Sequence, residues 1–174
     1  MTLSFNKLTP EKVKGLQFEI FLELLLKHRG MHNVIRNVEY HKSRYKFRQI
    51  DLSYNYLESG KIKHVVVEAK YSSNCVVPYL FRQPRELENG NVIINGPVEQ
   101  IIENRDFSGS DIGVLVTNKS FDDRIKSESE KRGIVIIEGD SLSKMLNFRQ
   151  TSLDNYIRSI NVQEYNLLAS KIYV

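Results

Sequence analysis

Two short, unbroken apolar runs, Ile112–Thr117 (IGVLVT) and Ile134–Ile137 (IVII), stand on either side of a polar segment and limit the folds open to this chain. A strand with one wet face alternates apolar and polar residues, whereas a strand covered on both faces is apolar throughout. Both runs therefore predict parallel strands inside a sheet, joined by a helix over Phe121–Arg132 and sandwiched between helices. Further helices are expected over Pro97–Asn104, from Ser141 to Leu146 and over Leu153–Ile160.

The first half follows a different pattern. Val34–Tyr40 reads as a strand, and Tyr45–Tyr56 alternates, with Ile50, Leu52 and Tyr54 on one face and Gln49, Asp51 and Ser53 on the other. Ser59-Gly60 makes a turn, and Ile62–Ala69 returns as a hairpin partner. Ahead of these strands a helix is expected from Thr9 to His28, capped by Thr9, opened by Pro10 and followed by Gly30. Leu16, Phe18, Phe21, Leu22, Leu25 and Leu26 cover most of its circumference, so it is a buried helix. The expected fold is an α/β sandwich around a mixed central sheet, an antiparallel meander followed by parallel strands, flanked by helices. We expect a single domain over 1–174, with a core at 9–148 and a helical extension at 149–174.

Several function classes are disfavoured at once. The longest apolar stretch, Leu16–Leu26, is broken by Glu19 and Glu23, so no membrane span or signal-peptide core is expected, and a soluble, cytoplasmic protein is. Cys75 is the only cysteine, which rules out an internal disulfide and a cysteine-based zinc cage and suggests a small packed residue. No glycine-rich phosphate loop follows a strand, which argues against a nucleotide-handling α/β protein. His28 and His32 straddle Gly30 and so do not share a helix face as metal ligands. Charge is uneven: residues 1–82 hold 14 Lys and Arg against 7 Asp and Glu, while residues 83–174 hold 11 against 14. A basic half suits a polyanionic partner.

Glu68 and Lys70 lie two apart on one strand and project from the same face, closing an otherwise apolar segment. Asp51 sits on the neighbouring expected strand, with sixteen residues between it and Glu68, so pairing of the two strands brings both carboxylates to one end of the hairpin. Two carboxylates form a hard oxygen site suited to Mg²⁺ or Mn²⁺. A cation there fits phosphodiester hydrolysis, with Lys70 orienting or deprotonating a water and offsetting negative charge. An acidic-x-basic triplet alone more often marks a solvated strand end or a surface ion pair, so the strand context carries the weight. Between Arg36 and Arg48 the chain places Arg36, His41, Lys42, Arg44, Lys46 and Arg48 among Tyr40, Tyr45 and Phe47. This segment is either a phosphate-holding hairpin or a solvated turn with aromatic residues packed inward. Nothing resembles a helix-turn-helix or zinc finger.

From Gly15 to Leu146 the chain resembles the Mrr-like restriction endonucleases of the PD-(D/E)xK nuclease superfamily. The likeness is carried by GLQFEIFLELLLKHRG (15–30) with Glu19, by Gln49-Ile50-Asp51, by Val67-Glu68-Ala69-Lys70, and by GVLVTNKSFDDRIKSESEKRGIVIIEGDSLSKML (113–146). Ile50 stands where the namesake motif has proline, and the stretch 71–96 has no counterpart in the family pattern. The resemblance implies a metal-dependent DNA endonuclease, with Asp51, Glu68 and the Ala69 carbonyl on the metal and Lys70 as base or water-positioner. It implies that Glu19 touches the metal shell indirectly or completes a second site. The line Glu19, Glu23, Lys27 is also the pattern of a solvent-facing helix stripe. DNA is the expected partner, held by Arg36, Lys42, Arg44, Lys46 and Arg48, and a homodimer would let both strands be cut. The apolar stretch 76–81 is a candidate dimer surface or a piece of core. A Holliday-junction resolvase, a repair nuclease and a catalytically silent DNA-binding scaffold share the same features. Gln100, on the helix after the loop, is near the site by position alone and reads more simply as an ordinary helix residue.

Overall fold

The computed structural model describes residues 8–80, 85–86, 92–93, 96–147 and 150–174. Helix α1 (Pro10–His28) opens as expected: the Thr9 hydroxyl accepts the Lys12 N–H at 3.4 Å, and Pro10 occupies the first turn, where no donor is missed. Strands β1 (His32–His41), β2 (Phe47–Glu58) and β3 (Lys61–Lys70) follow as an antiparallel meander. After the short β4 (Val76–Val77), β5 (Arg85–Glu86) and β6 (Val92–Ile93) come α2 (Pro97–Ser108), β7 (Ile112–Thr117), β8 (Ser120–Phe121), α3 (Asp123–Lys131) and β9 (Val135–Ile137). Helices α4 (Gly139–Met145) and α5 (Gln150–Ser159), a 3₁₀ turn (Val162–Glu164) and β10 (Ser170–Tyr173) complete the chain.

The main sheet has six strands in the order β10-β1-β2-β3-β7-β9. Its first half is the meander, and β7 and β9 join β3 in parallel. Successive valines of β3 serve opposite faces. Val65 and Val67 pack with Leu52, Val114 and Val116 beneath α1, α4 and α5, while Val66 packs with Leu115 against Ile101 and Ile125 of α2 and α3. This double coverage is why β3 and β7 read as unbroken apolar runs. The α2 packing is close: a Cβ added at Gly113 would lie 3.0 Å from Ile101 Cγ1 and 3.0 Å from Ile134 Cδ1.

One irregularity sits in the middle of the meander. In β1 the Arg36 guanidinium reaches Glu23 of α1, yet Val38 belongs to the core beneath α2 and α3. In β2 Leu52 packs beneath α1, while Ile50 packs on the α2 side. Residues two apart normally share a face. Both strands therefore change face at one rung, where Asn37 adopts a left-handed φ of 53°, a conformation that asparagine tolerates. Across from Asn37 in the continuing register stands Asp51.

Four expectations change. The run Ile134–Ile137, expected inside the sheet, forms β9 at its edge with Val135 exposed, because β7 alone flanks it. The extension after residue 148 is not wholly helical: β10 pairs in parallel with β1 and becomes the sheet edge. Its four residues, Ser-Lys-Ile-Tyr, are too few to show a period in the sequence. The stretch 76–81 is partly core, since Val77 is buried, Tyr79 packs against the same cluster and β4 pairs with β8. It offers correspondingly less to a dimer. Cys75 is exposed rather than packed, in the bend directly before β4. Pro84, Gly90 and much of the remainder of the 71–96 stretch lie outside the described residues. Among the described residues no helix is long and apolar enough to cross a membrane.

Candidate active site

The end of β3 has different neighbours on its two sides. Toward β7 the ladder continues to Lys70 opposite Thr117. Toward β2 it stops at Leu52 opposite Val67, where β2 changes face. Beyond that point Asp51 takes over as partner, its Oδ2 accepting the Ala69 N–H at 2.8 Å. A carboxylate has replaced a main-chain carbonyl as the acceptor. Because a strand residue turns its N–H and C=O toward the same side, the Ala69 carbonyl also faces β2.

Glu68 is buried, with 8% of its surface exposed, and both its oxygens are engaged. Oε1 accepts from Lys70 Nζ at 2.5 Å, and Oε2 accepts from Asn104 Nδ2 at 3.0 Å. Asn104, 4% exposed on α2, accepts in turn from Arg48 Nη1 at 3.0 Å, while Arg48 Nη2 pairs with Glu103. A relay thus runs Arg48–Asn104–Glu68–Lys70 across three elements and fixes which way the Glu68 carboxyl turns.

The charges interact at close quarters. Burial pushes the Asp51 carboxyl well above the usual carboxylate range, and the negative charges of Glu68 and Glu19 add to it. Glu19 is pushed up to about 7, first by burial, with Arg36 opposing and Glu68 reinforcing the rise. Glu19 therefore stands within electrostatic reach of Asp51, Glu68 and Lys70 and is half-buried, not part of a wet stripe. Glu23 and Lys27 of the same line pair with each other at 2.7 Å. Among the described residues no three His, Cys, Asp or Glu side chains are gathered as a ready-made metal cage. The donor set at issue is two carboxylates and one main-chain carbonyl, with Glu19 behind them.

The expected DNA-contacting cations divide into two groups. Arg36 is 8% exposed, bonded to Glu23 Oε2 at 2.9 Å and to the Asn166 carbonyl at 2.5 Å, which removes it from any phosphate surface. A cation buried this deeply requires a buried counter-charge, and Glu23 supplies it. Arg48 is committed to the relay. Lys42, Arg44 and Lys46 are exposed in the β1–β2 turn, with Lys42 over the Phe107 ring at 4.6 Å and Arg44 against Tyr45 at 5.7 Å. Tyr45 is 87% exposed, whereas Phe47 stacks on His41 with ring centres 4.9 Å apart. The hairpin is thus partly packed and partly presented. Gln100 lies one helical turn before Asn104, and its Oε1 is buried without a hydrogen-bond partner among the described residues.

Residues 10–146 match the family model for the Mrr catalytic domain of restriction endonucleases, and the chain belongs to that family. No curated protein matches the sequence. Among solved structures, a protein of unknown function, AF1548, is similar at 16% identity and a TM-score of 0.49, over 71% of this chain and 58% of that one. The protein VC1899 from Vibrio cholerae is similar at 14% identity and a TM-score of 0.48, over 86% of this chain and 34% of its own. The MspJI restriction endonuclease, solved with a 27-mer oligonucleotide, is similar at 17% identity and a TM-score of 0.42, over 90% of this chain and 34% of that one. The chain spans about a third to just over half the length of these structures.

Proposed function

We propose that this chain is a metal-dependent DNA endonuclease in which Asp51, Glu68 and the Ala69 carbonyl hold Mg²⁺ or Mn²⁺ and Lys70 acts on the attacking water. The observation that carries this reading is the meeting of Asp51, Glu68 and Lys70 at the end of β3, in a chain of the restriction endonuclease family. The donor chemistry suits the ion: carboxylates whose burial and mutual repulsion favour a bound proton favour a bound divalent cation in its place. When bound, such an ion polarises a phosphoryl oxygen and makes water a better nucleophile at neutral pH. Asp51 and Glu68 would hold that ion, and Asn104 keeps Glu68 from turning away. Lys70, two residues from Glu68 on the same face, orients the water and balances the negative charge gathering on the phosphate. Glu19 acts from behind, tuning the charge of the group. Lys42, Arg44 and Lys46 hold neighbouring phosphates, which makes binding weaken with salt. Cutting both strands calls for two such sites, hence a homodimer.

The test uses supercoiled plasmid with Mg²⁺, Mn²⁺ or EDTA, the unaltered chain and Lys70→Ala. Nicking that needs the metal and disappears in the variant supports the reading. Equal DNA binding by both proteins with no cleavage under any metal overturns it in favour of a silent DNA-binding scaffold. Preferential cleavage of four-way junctions over linear duplex would reassign the substrate and leave the chemistry standing.

A further inference from the structure

A cavity of about 350 Å³ opens directly beside the carboxylates, with Glu19 and Asp51 forming part of its wall. Such a volume lies at the small end of ligand sites, roughly 300–1,000 Å³. Leu16 of α1 and Leu167 of the C-terminal segment give it apolar sides, and Gln49 and Asn37 give it amide edges. Lys12 brings a cation to the rim. The amides differ in role. Asn37 donates to the Leu167 carbonyl at 2.8 Å and accepts from Gln49, so it is fixed in place as a wall. Among the described residues Gln49 donates only to Asn37, which leaves its carbonyl oxygen as an acceptor. Leu167 lies beyond the family match at 10–146, so this wall comes from outside the matched region.

Gly15 completes the cavity and is its most informative residue. It sits inside α1, where glycine costs about 0.5–1 kcal/mol relative to alanine. No packing demand accounts for it, because a Cβ built there meets no heavy atom within 4 Å. The missing side chain leaves space in the cavity and nothing else.

We infer that this cavity is a nucleoside subsite, which takes the base and sugar of one nucleotide flanking the scissile phosphate. The inference rests on the nuclease reading for its substrate. The scissile phosphate belongs with the ion that Asp51 would hold, and a second phosphate is a poor occupant of the end lined by Leu16, Leu167 and the two amides, where Lys12 is the one cation among the described residues of the wall. A neutral ring between leucine side chains, with an amide at its edge and Lys12 near the adjoining phosphate, matches each wall. Duplex stacking must open locally for the base to enter, so strands with a mismatch or a single-stranded segment at the cut gain most.

The test combines two readouts on the full chain. Amide chemical shifts of ¹⁵N-labelled protein are followed while thymidine or deoxyadenosine is added, with inorganic phosphate as control, and DNA cleavage is measured alongside. Gly15→Ala and Gly15→Leu are compared with the unaltered chain, and both should melt at or above its temperature because they improve the helix. Nucleosides should shift the Gly15, Asn37 and Leu167 amides, phosphate should not, and Gly15→Leu should abolish the shifts and slow cleavage about tenfold. The inference is overturned if nucleosides leave those amides unmoved, or if Gly15→Leu cuts as fast as the unaltered chain. The second result, in a chain that cuts, sinks the subsite and spares the nuclease. Localised nucleoside shifts in a chain that never cuts would do the reverse.

Discussion

The two halves of the sheet meet at β3 and are built for different purposes. On the parallel side, β7 is apolar along its length and covered by helices on both faces, β9 closes the sheet as a short apolar edge strand with Val135 exposed, and little in either bears charge. On the antiparallel side, β1 and β2 carry Arg36, Arg48 and Asp51 and change face midway. The ladder with β7 persists to Lys70 and pairs β3 to its end, while the ladder with β2 stops at Leu52 and exposes the main chain of Ala69 to a carboxylate. One neighbour supplies stiffness and the other supplies an opening. A site needs both, because reacting groups must be held firmly yet left unsatisfied by the scaffold.

The comparison is broken most sharply on the open side. Asp51→Asn keeps the shape and a hydrogen-bond acceptor for Ala69 but removes the charge. Cleavage should fall about 10²–10³-fold while the circular dichroism spectrum and melting curve hold. On the stiff side the reverse is expected. Leu115→Ala, at a fully buried position, should cost about 2–5 kcal/mol in chemical denaturation. Its cleavage rate, measured well below the melting temperature, should change far less than that of Asp51→Asn. A large loss of activity in a folded Leu115→Ala protein would show that the division is wrong.

Two smaller effects sharpen the boundary. Asn104→Ala removes the donor to Glu68 Oε2 and should weaken Mn²⁺ binding about 10–100-fold by titration calorimetry, with Asn104→Asp weaker still or different in pH response. The last prediction concerns Glu19. Its carboxyl keeps a proton in the folded chain up to about pH 7, whereas in the unfolded chain it ionises near 4.5. Between those values the native state binds more protons, so this group's contribution to stability is present at low pH and is lost as pH rises through that window. Metal-free protein should show a falling melting temperature across it, Glu19→Gln should flatten the slope, and added Mg²⁺ should restore stability most at the upper end. A slope unchanged by Glu19→Gln would remove the carboxylate from the site's electrostatics.

Most of the frame was readable because its signals are periodic or local. The apolar runs at 112–117 and 134–137, the Thr9-Pro10 helix start and the alternation through Ile50 and Leu52 each point to one element. Glu68 and Lys70 were accessible for the same reason, since charges at the end of an apolar strand contradict their surroundings, whereas Asp51, on a polar strand face, was reached through the expected hairpin pairing and the family resemblance. What was not readable depends on tertiary position. Arg36 and Arg44 are identical as letters, yet one is buried on Glu23 and the other lies in an exposed turn. Asn104 joins the site only because α2 crosses β3 at that turn, and no spacing in the sequence announces it. The alternation in Tyr45–Tyr56 placed Ile50 and Leu52 on one face, but the change of face at Asn37 and Asp51 separates them. A strictly two-residue period cannot anticipate a single left-handed residue on the neighbouring strand.

That change of face separates charge from packing. Asp51 stands at the crossing point between two hydrophobic layers and belongs to neither apolar cluster, and its tie to the scaffold is the hydrogen bond it accepts from the Ala69 N–H. A substitution that keeps this acceptor, as Asp51→Asn does, changes the charge at the rung while leaving both packed layers as they are.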